Sequence, residues 1–422
     1  MKDIRWDKLD NTANLFPVIA REGMSNVYRV AVNLKEDIDG ELLQKALNIV
    51  LPYFDVFNMR MKRGLFWHYF ETNEKPAPGV HEEDAYPCAY INPYNNNDYQ
   101  FRVTYYKKRI NLEVFHALTD GNGAFLFLKE LTYQYLRLVH DELNTPQLDK
   151  LSATTSLDSE DSYIENYKTK AKKGYKTEKA LIVKGESFTM GQYGVVQGYI
   201  SLPDIKRVAK SYGVTINQYI VGVFTYAIYK GFLKGKPSKK PISTCVPVNL
   251  RPYFESETTK NFFAVVSAVF KPTKSTYEFK EVLEIIKESL NSQIDKDNLE
   301  KLFSYNVSNQ MNFMLRAFPL FLKNLGMKIA YYSSAKANTG TLTNLGVVKV
   351  DEPYMDYIDS FYALLSMSKG QNIKGAVCSY KDTLVFSMSQ GIKEMDVPKA
   401  FFRQLAADGI SVEIETNGVC YE

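Results

Sequence analysis

Val114-Phe115-His116-Ala117-Leu118-Thr119-Asp120-Gly121-Asn122-Gly123 is the stretch on which the fold turns. An alternating run ends at Phe115, and an apolar stripe of helical period (Phe125, Leu128, Leu131, Tyr135, Leu138) starts just beyond it. Gly121 and Gly123 permit a tight backbone path between the two. His116 therefore falls where a strand ends, and its side chain projects from the sheet edge into whatever cleft lies there. An imidazole with an ordinary pKa of about 6.5 can accept a proton from a bound hydroxyl or amine near neutral pH. Asp120 can orient that ring, cap the helix or pair with an arginine elsewhere. Spacing alone does not separate a catalytic histidine from a capped turn.

Outward from this stretch, the segment 25–34 reads as a strand, and Asp39 as the N-cap of a helix that Pro52 stops. The segments 57–63 and 65–71 form one strand pair, 99–106 and 110–115 another, with a loop rich in Pro and Asn at 72–97. A polar crossover over 151–176 holds little to bury, which divides the chain into lobes at 1–150 and 177–422. Beyond it, strands are expected at 193–202, 240–248, 262–270, 375–380, 383–388 and 411–415. Helices are expected at 203–212, 215–229, 275–294 and 397–407. Hairpins with interspersed helices predict mixed sheets covered by helices, an α/β fold of α+β character.

Composition narrows the function. The 422 residues exceed the roughly 150 typical of one domain, so two cores are expected. With 52 Lys+Arg against 48 Asp+Glu the net charge is +4, which argues against a nucleic-acid partner. Charges at Lys2, Asp3, Arg5, Asp7, Lys8 and Asp10 leave no secretory h-region. The longest apolar stretch, 262–270, is far short of the roughly 20 residues of a transmembrane segment. Cys88, Cys245, Cys378 and Cys420 are scattered without a C-x-x-C pair, so a reduced, cytoplasmic protein is expected.

The histidine motif has company. His-x-x-x-Asp-Gly after a strand and before a helix resembles the motif of acyltransferases related to chloramphenicol acetyltransferase, including alcohol acetyltransferases, BAHD enzymes and peptide-synthetase condensation domains. Trp6-Asp7-Lys8-Leu9-Asp10-Asn11 with Phe16-Pro17 resembles the opening of alcohol-acetyltransferase-like proteins. Val248-Asn249-Leu250-Arg251-Pro252 resembles their second-half loop, and Thr343-Asn344-Leu345-Gly346 their S/T-N-x-G turn. These span nearly the whole chain in the family's order. The resemblance implies two chloramphenicol-acetyltransferase-like lobes with an active-site tunnel between them. It further implies no bound cofactor, acyl-CoA (acetyl-CoA above all) as co-substrate, and a small alcohol as acceptor. His116 would act as general base, with direct transfer and no acyl-enzyme. Asp120, next to Gly121, would form a structural salt bridge; Arg60 is the first choice of partner, with Arg29 and Arg251 behind. Thr343 or Asn344 would bind the developing oxyanion. Phe115 stands where condensation domains carry a first histidine, which leans toward alcohol acyltransfer. A stand-alone condensation enzyme fed by a carrier protein, and a non-catalytic small-molecule scaffold, stay open.

Other features read more plainly. His68 belongs to a strand, His81 to a solvated loop and His140 to a helix end, so no metal site is expected. Gly121-x-Gly123 lacks the third glycine of a dinucleotide fingerprint, and 231–236 misses Walker spacing. Lys236 and Lys239, with Lys234 and Lys240, either hold coenzyme A phosphates or form a solvated turn, the turn being favoured. The stretch 311–329, with Arg316, Lys323 and Lys328, reads first as a core helix kinked at Pro319, though a tunnel lining or a peripheral membrane contact also fits. A monomer is expected.

Overall fold

The computed structural model describes residues 5–10, 12–144, 161–167, 178–189, 192–311 and 318–419. Of the expected crossover, only 161–167 lies within them; Asn11, Arg316 and Cys420 lie outside. Mixed α/β architecture is observed. The first half runs β1 (Trp6–Lys8), α1 (Phe16–Ile19), β2 (Val27–Leu34), α2 (Gly40–Val50), β3 (Met59–Arg63), β4 (His68–Thr72), β5 (His81–Glu82), β6 (Phe101–Tyr106), β7 (Arg109–Phe115) and α3 (Gly121–Val139). A short α4 (Ser162–Glu165) precedes β8 (Gly194–Ser201), α5 (Leu202–Ser211), α6 (Ile216–Gly231), β9 (Ile242–Asn249), α7 (Arg251–Phe254) and β10 (Phe263–Phe270). Then come α8 (Phe279–Asn291), α9 (Lys296–Met311), α10 (Leu320–Ser334), β11 (Gly340–Val347), β12 (Ile358–Leu365), β13 (Ile373–Tyr380), β14 (Thr383–Gln390), α11 (Asp396–Ala407) and β15 (Val412–Thr416).

Local chemistry sets the helix starts. The Asp39 carboxylate accepts the N–H groups of Glu41 and Leu42, 2.9 and 3.0 Å away, and so caps α2. Thr215 and Gln218 form a reciprocal capping box on α6.

The strands form three sheets, ordered β1-β4-β3, β12-β2-β7-β6-β5 and β10-β9-β11-β13-β14-β8-β15. β2 lies antiparallel to β7, Val27 opposite Phe115, and is buried along nearly its whole length. Its other neighbour is β12, from far along the second half, with Phe361 opposite Val32. The core around β2, β6, β7, α2 and α3 therefore takes in Ile358, Phe361, Tyr362 and Leu364, together with Cys378 and Tyr380. A second core fills the space between the seven-stranded sheet and α5, α6, α8 and α11.

Three expectations change. The stretch 340–347 is a strand rather than a turn: Thr343 and Asn344 sit in β11, and the backbone irregularity falls as a bulge between Asn344 and Val347. Pro319 does not kink a core helix. It occupies the N-cap position, where its missing N–H costs nothing, and starts α10, whose only buried residue is Leu320; 312–317 lie outside the described residues. His81 lies in the exposed two-residue strand β5, paired parallel to β6, rather than in a loop.

Candidate active site

The turn after β7 is built around Asp120. Its side chain accepts the N–H groups of Asn122 and Gly123 at 3.1 and 3.3 Å, capping α3. The same carboxylate takes both terminal nitrogens of Arg251, at 2.9 and 3.2 Å, and the Phe262 N–H at 3.1 Å. Arg251 spends its other donors on the carbonyls of Thr258 and Lys260, 2.8 and 2.7 Å away. The loop 258–262 is thereby tied to the histidine motif. Gly123 makes room for it: a Cβ there would run into the Thr119 side chain and the Thr259 carbonyl.

Arg251 is thus the partner, not Arg60 or Arg29. Arg60 faces Glu71 across the β3–β4 ladder and donates to it at 2.7 Å. Arg29 faces Glu113 across β2–β7 and is buried between Glu113 and Glu83. Each cross-strand pairing consumes the guanidinium before it can reach the turn.

His116 is half-buried among rings from both halves of the chain. Phe16 stacks on it with centroids 4.6 Å apart, Tyr28 meets it edge-on at 4.9 Å, and Phe263 leans over it at 5.8 Å. Asn261, which precedes β10, places its Oδ1 3.0 Å from His116 Nδ1. The Asn261 Nδ2 donates to Asp10 Oδ2 at 2.8 Å and to the His116 carbonyl at 3.2 Å. With the amide nitrogen facing two acceptors, the amide oxygen must face the ring. An amide oxygen only accepts, so Nδ1 carries the imidazole proton and Nε2 keeps its lone pair.

Electrostatics favour the neutral ring. Burial lowers the His116 pKa below its usual range, against the hydrogen bond to its own backbone, the charge of Asp120 and the Asn261 amide; the Lys374 ammonium lowers it further. Burial also brings Lys374 itself down to about 8, and its Nζ donates to Ser368 Oγ at 2.5 Å. Burial pushes the Asp10 carboxyl up to about 7, opposed by hydrogen bonds from Asn261 and the Ala13 N–H. A cavity of about 170 Å³ opens beside Asp10, with Trp6, Ala117, Leu118 and Lys260 also in its wall.

Asn344 Oδ1 accepts the Gly346 N–H at 2.9 Å, which holds the β11 bulge; the next residue, Leu345, packs on Gly121. Lys236 and Lys239 are exposed in the loop before β9. Arg251 follows the far end of that eight-residue strand, roughly 25 Å away at the rise of an extended chain. Among the described residues, no group of three His, Cys, Asp or Glu side chains is placed to hold a metal ion. Sequence reasoning missed the roles of Asp10, Phe16 and Asn261. The first two stand in the opening stretch already singled out, whereas Lys260-Asn261-Phe262 carries no mark of its own.

No family model matches the sequence, and no curated protein does. Solved structures do. Polyketide synthase associated protein 5 from Mycobacterium tuberculosis is 13% identical, with a TM-score of 0.62 over 95% of this chain and 96% of that one. The trichothecene 15-O-acetyltransferase of Fusarium sporotrichioides is 12% identical, with a TM-score of 0.58 over 96% and 94%. The condensation domain of the monacolin K polyketide synthase is 11% identical, with a TM-score of 0.56 over 96% of each chain. The chain has the fold shared by condensation domains and acetyltransferases. In this condensation fold, β12 stitches the second half to the sheet that carries β7. Arg251 and Asn261 reach across from the second half to fix the turn and the ring.

Proposed function

We propose that the protein is an acyltransferase that moves an acyl group, acetyl first among them, from an acyl-CoA thioester to the hydroxyl of a small alcohol. One observation carries the reading: Asn261 holds Nδ1 as a donor, which leaves Nε2 its lone pair to serve as the base, on a ring whose proton affinity burial has lowered. In the proposed reaction, Nε2 takes the hydroxyl proton as the alcohol oxygen attacks the thioester carbonyl. The tetrahedral intermediate then collapses, the C–S bond breaks, and the departing thiolate recovers the proton from Nε2. The products are an ester and free coenzyme A, with no covalent enzyme intermediate.

The test is thiol release and product mass from acetyl-CoA with panels of alcohols and amines. Alcohol-dependent release that falls by about 10²–10⁴ in folded His116→Ala supports the reading. Undiminished turnover in that variant removes His116 as the base. Turnover only with an acylated carrier protein selects the condensation reaction, and binding without release selects a scaffold.

A further inference from the structure

Helix α10 turns its apolar side outward. Phe321 is 62% exposed, Leu325 58% and Ile329 65%, and with Phe318, Leu322 and Tyr332 they form one stripe of helical period. A narrower seam on the other side, Met327 and Tyr331, seats the helix on Val18, Ile19 and Met24 at α1. The tip of the β3–β4 hairpin extends the stripe. Leu65 is 74% exposed, and Phe66 and Trp67 accompany it. The Leu320 N–H donates to the Leu65 carbonyl at 2.9 Å, and the Lys323 ammonium lies 4.7 Å above the Trp67 ring. Nine large apolar side chains thus form one continuous exposed surface, more than an isolated soluble face carries without a partner.

Charge indicates what covers it. The segments 59–70 and 318–336 contain Arg60, Lys62, Arg63, Lys323, Lys328 and Lys336 but no Asp or Glu. Glu71 answers Arg60 and Lys62, whereas Arg63, Lys328 and Lys336 are exposed. We propose that this surface docks on an anionic lipid bilayer, with the apolar stripe in the acyl boundary and the lysines and Arg63 among the headgroups. Aromatic rings and snorkelling lysines suit that depth. A second copy of the chain would instead bring two basic rims face to face. No helix among the described residues is long and apolar enough to cross a membrane, so the contact is peripheral. One turn of α1 separates the residues that seat α10 from Phe16, the ring stacked on His116.

Sedimentation of the full chain with vesicles of equimolar phosphatidylcholine and phosphatidylglycerol reads this without any chemistry, so it stands separately from the acyl-transfer assignment. The protein should pellet with these vesicles, less with pure phosphatidylcholine, and less as salt rises. The doubly substituted Leu325→Glu/Ile329→Glu chain should lose at least about tenfold in affinity with an unchanged melting temperature, since both side chains are exposed. Trp67 emission should shift to the blue on binding, a change that Trp67→Phe abolishes. The proposal is overturned by failure to bind either vesicle, by binding that the double substitution leaves intact, or by a solution dimer or a captured acylated carrier protein that the same substitution releases.

Discussion

A neutral imidazole has one donor and one acceptor nitrogen, and its neighbours decide which is which. At His116 that choice falls to an amide rather than a carboxylate. An acid against Nδ1 would stabilise the imidazolium and raise the pKa, whereas the Asn261 amide orients the ring at little cost to its neutrality. As the proposed base, His116 would work when unprotonated, and activity should fall only as the pH drops through a pKa depressed below about 6.5. The acidic limb of kcat/KM is expected there. Asn261→Asp should move that limb to higher pH, because the new charge faces Nδ1 and favours the protonated ring. A limb unmoved in the variant would show that Asn261 does not govern the imidazole. The place of His116 at the end of a strand could be read from the alternating run that stops at Phe115. Asn261 could not, since a lone Asn before a run of Phe acquires meaning only once the fold brings it to the ring.

At the level of elements, the decisive contact joins the start of α3 to the loop before β10. The Asp120 cap was legible because a carboxylate at a helix start has an evident local use. Its partner was not, because Arg251 lies 131 residues away and three arginines were available. What sorted them was strand register: Arg60 and Arg29 already face glutamates, whereas Arg251 sits past the end of β9, outside the strand pairing. Both members of the chosen pair are about nine-tenths buried. Removing one strands the other, so Arg251→Met should lower unfolding stability by about 3–5 kcal/mol. Arg60→Met removes a more exposed pair and should cost less than about 1 kcal/mol. Denaturant titration of both variants checks the contrast, and equal losses would contradict it.

For the whole molecule, the question is how independent the two halves are. Alternating strands and striped helices disclosed mixed sheets under helices, yet nothing local in 358–365 marks it for the first half's sheet. Strand propensity says how a segment pairs, and only the packed molecule says with which partner. Because β12 completes that sheet and the first core draws on Phe361, Cys378 and Tyr380, the halves should melt together. Calorimetry should show one transition, and two resolved transitions would contradict the interlock. The same interlock assembles the site, since the ring comes from the first half and the amide that sets its tautomer from the second. Nitrogen NMR of the imidazoles tests that claim most directly, with the His116 signal assigned by its loss in His116→Gln. At neutral pH it should show a protonated Nδ1 and an unprotonated Nε2, a pattern that breaks down in Asn261→Ala. A proton on Nε2, or a doubly protonated ring, would contradict the account.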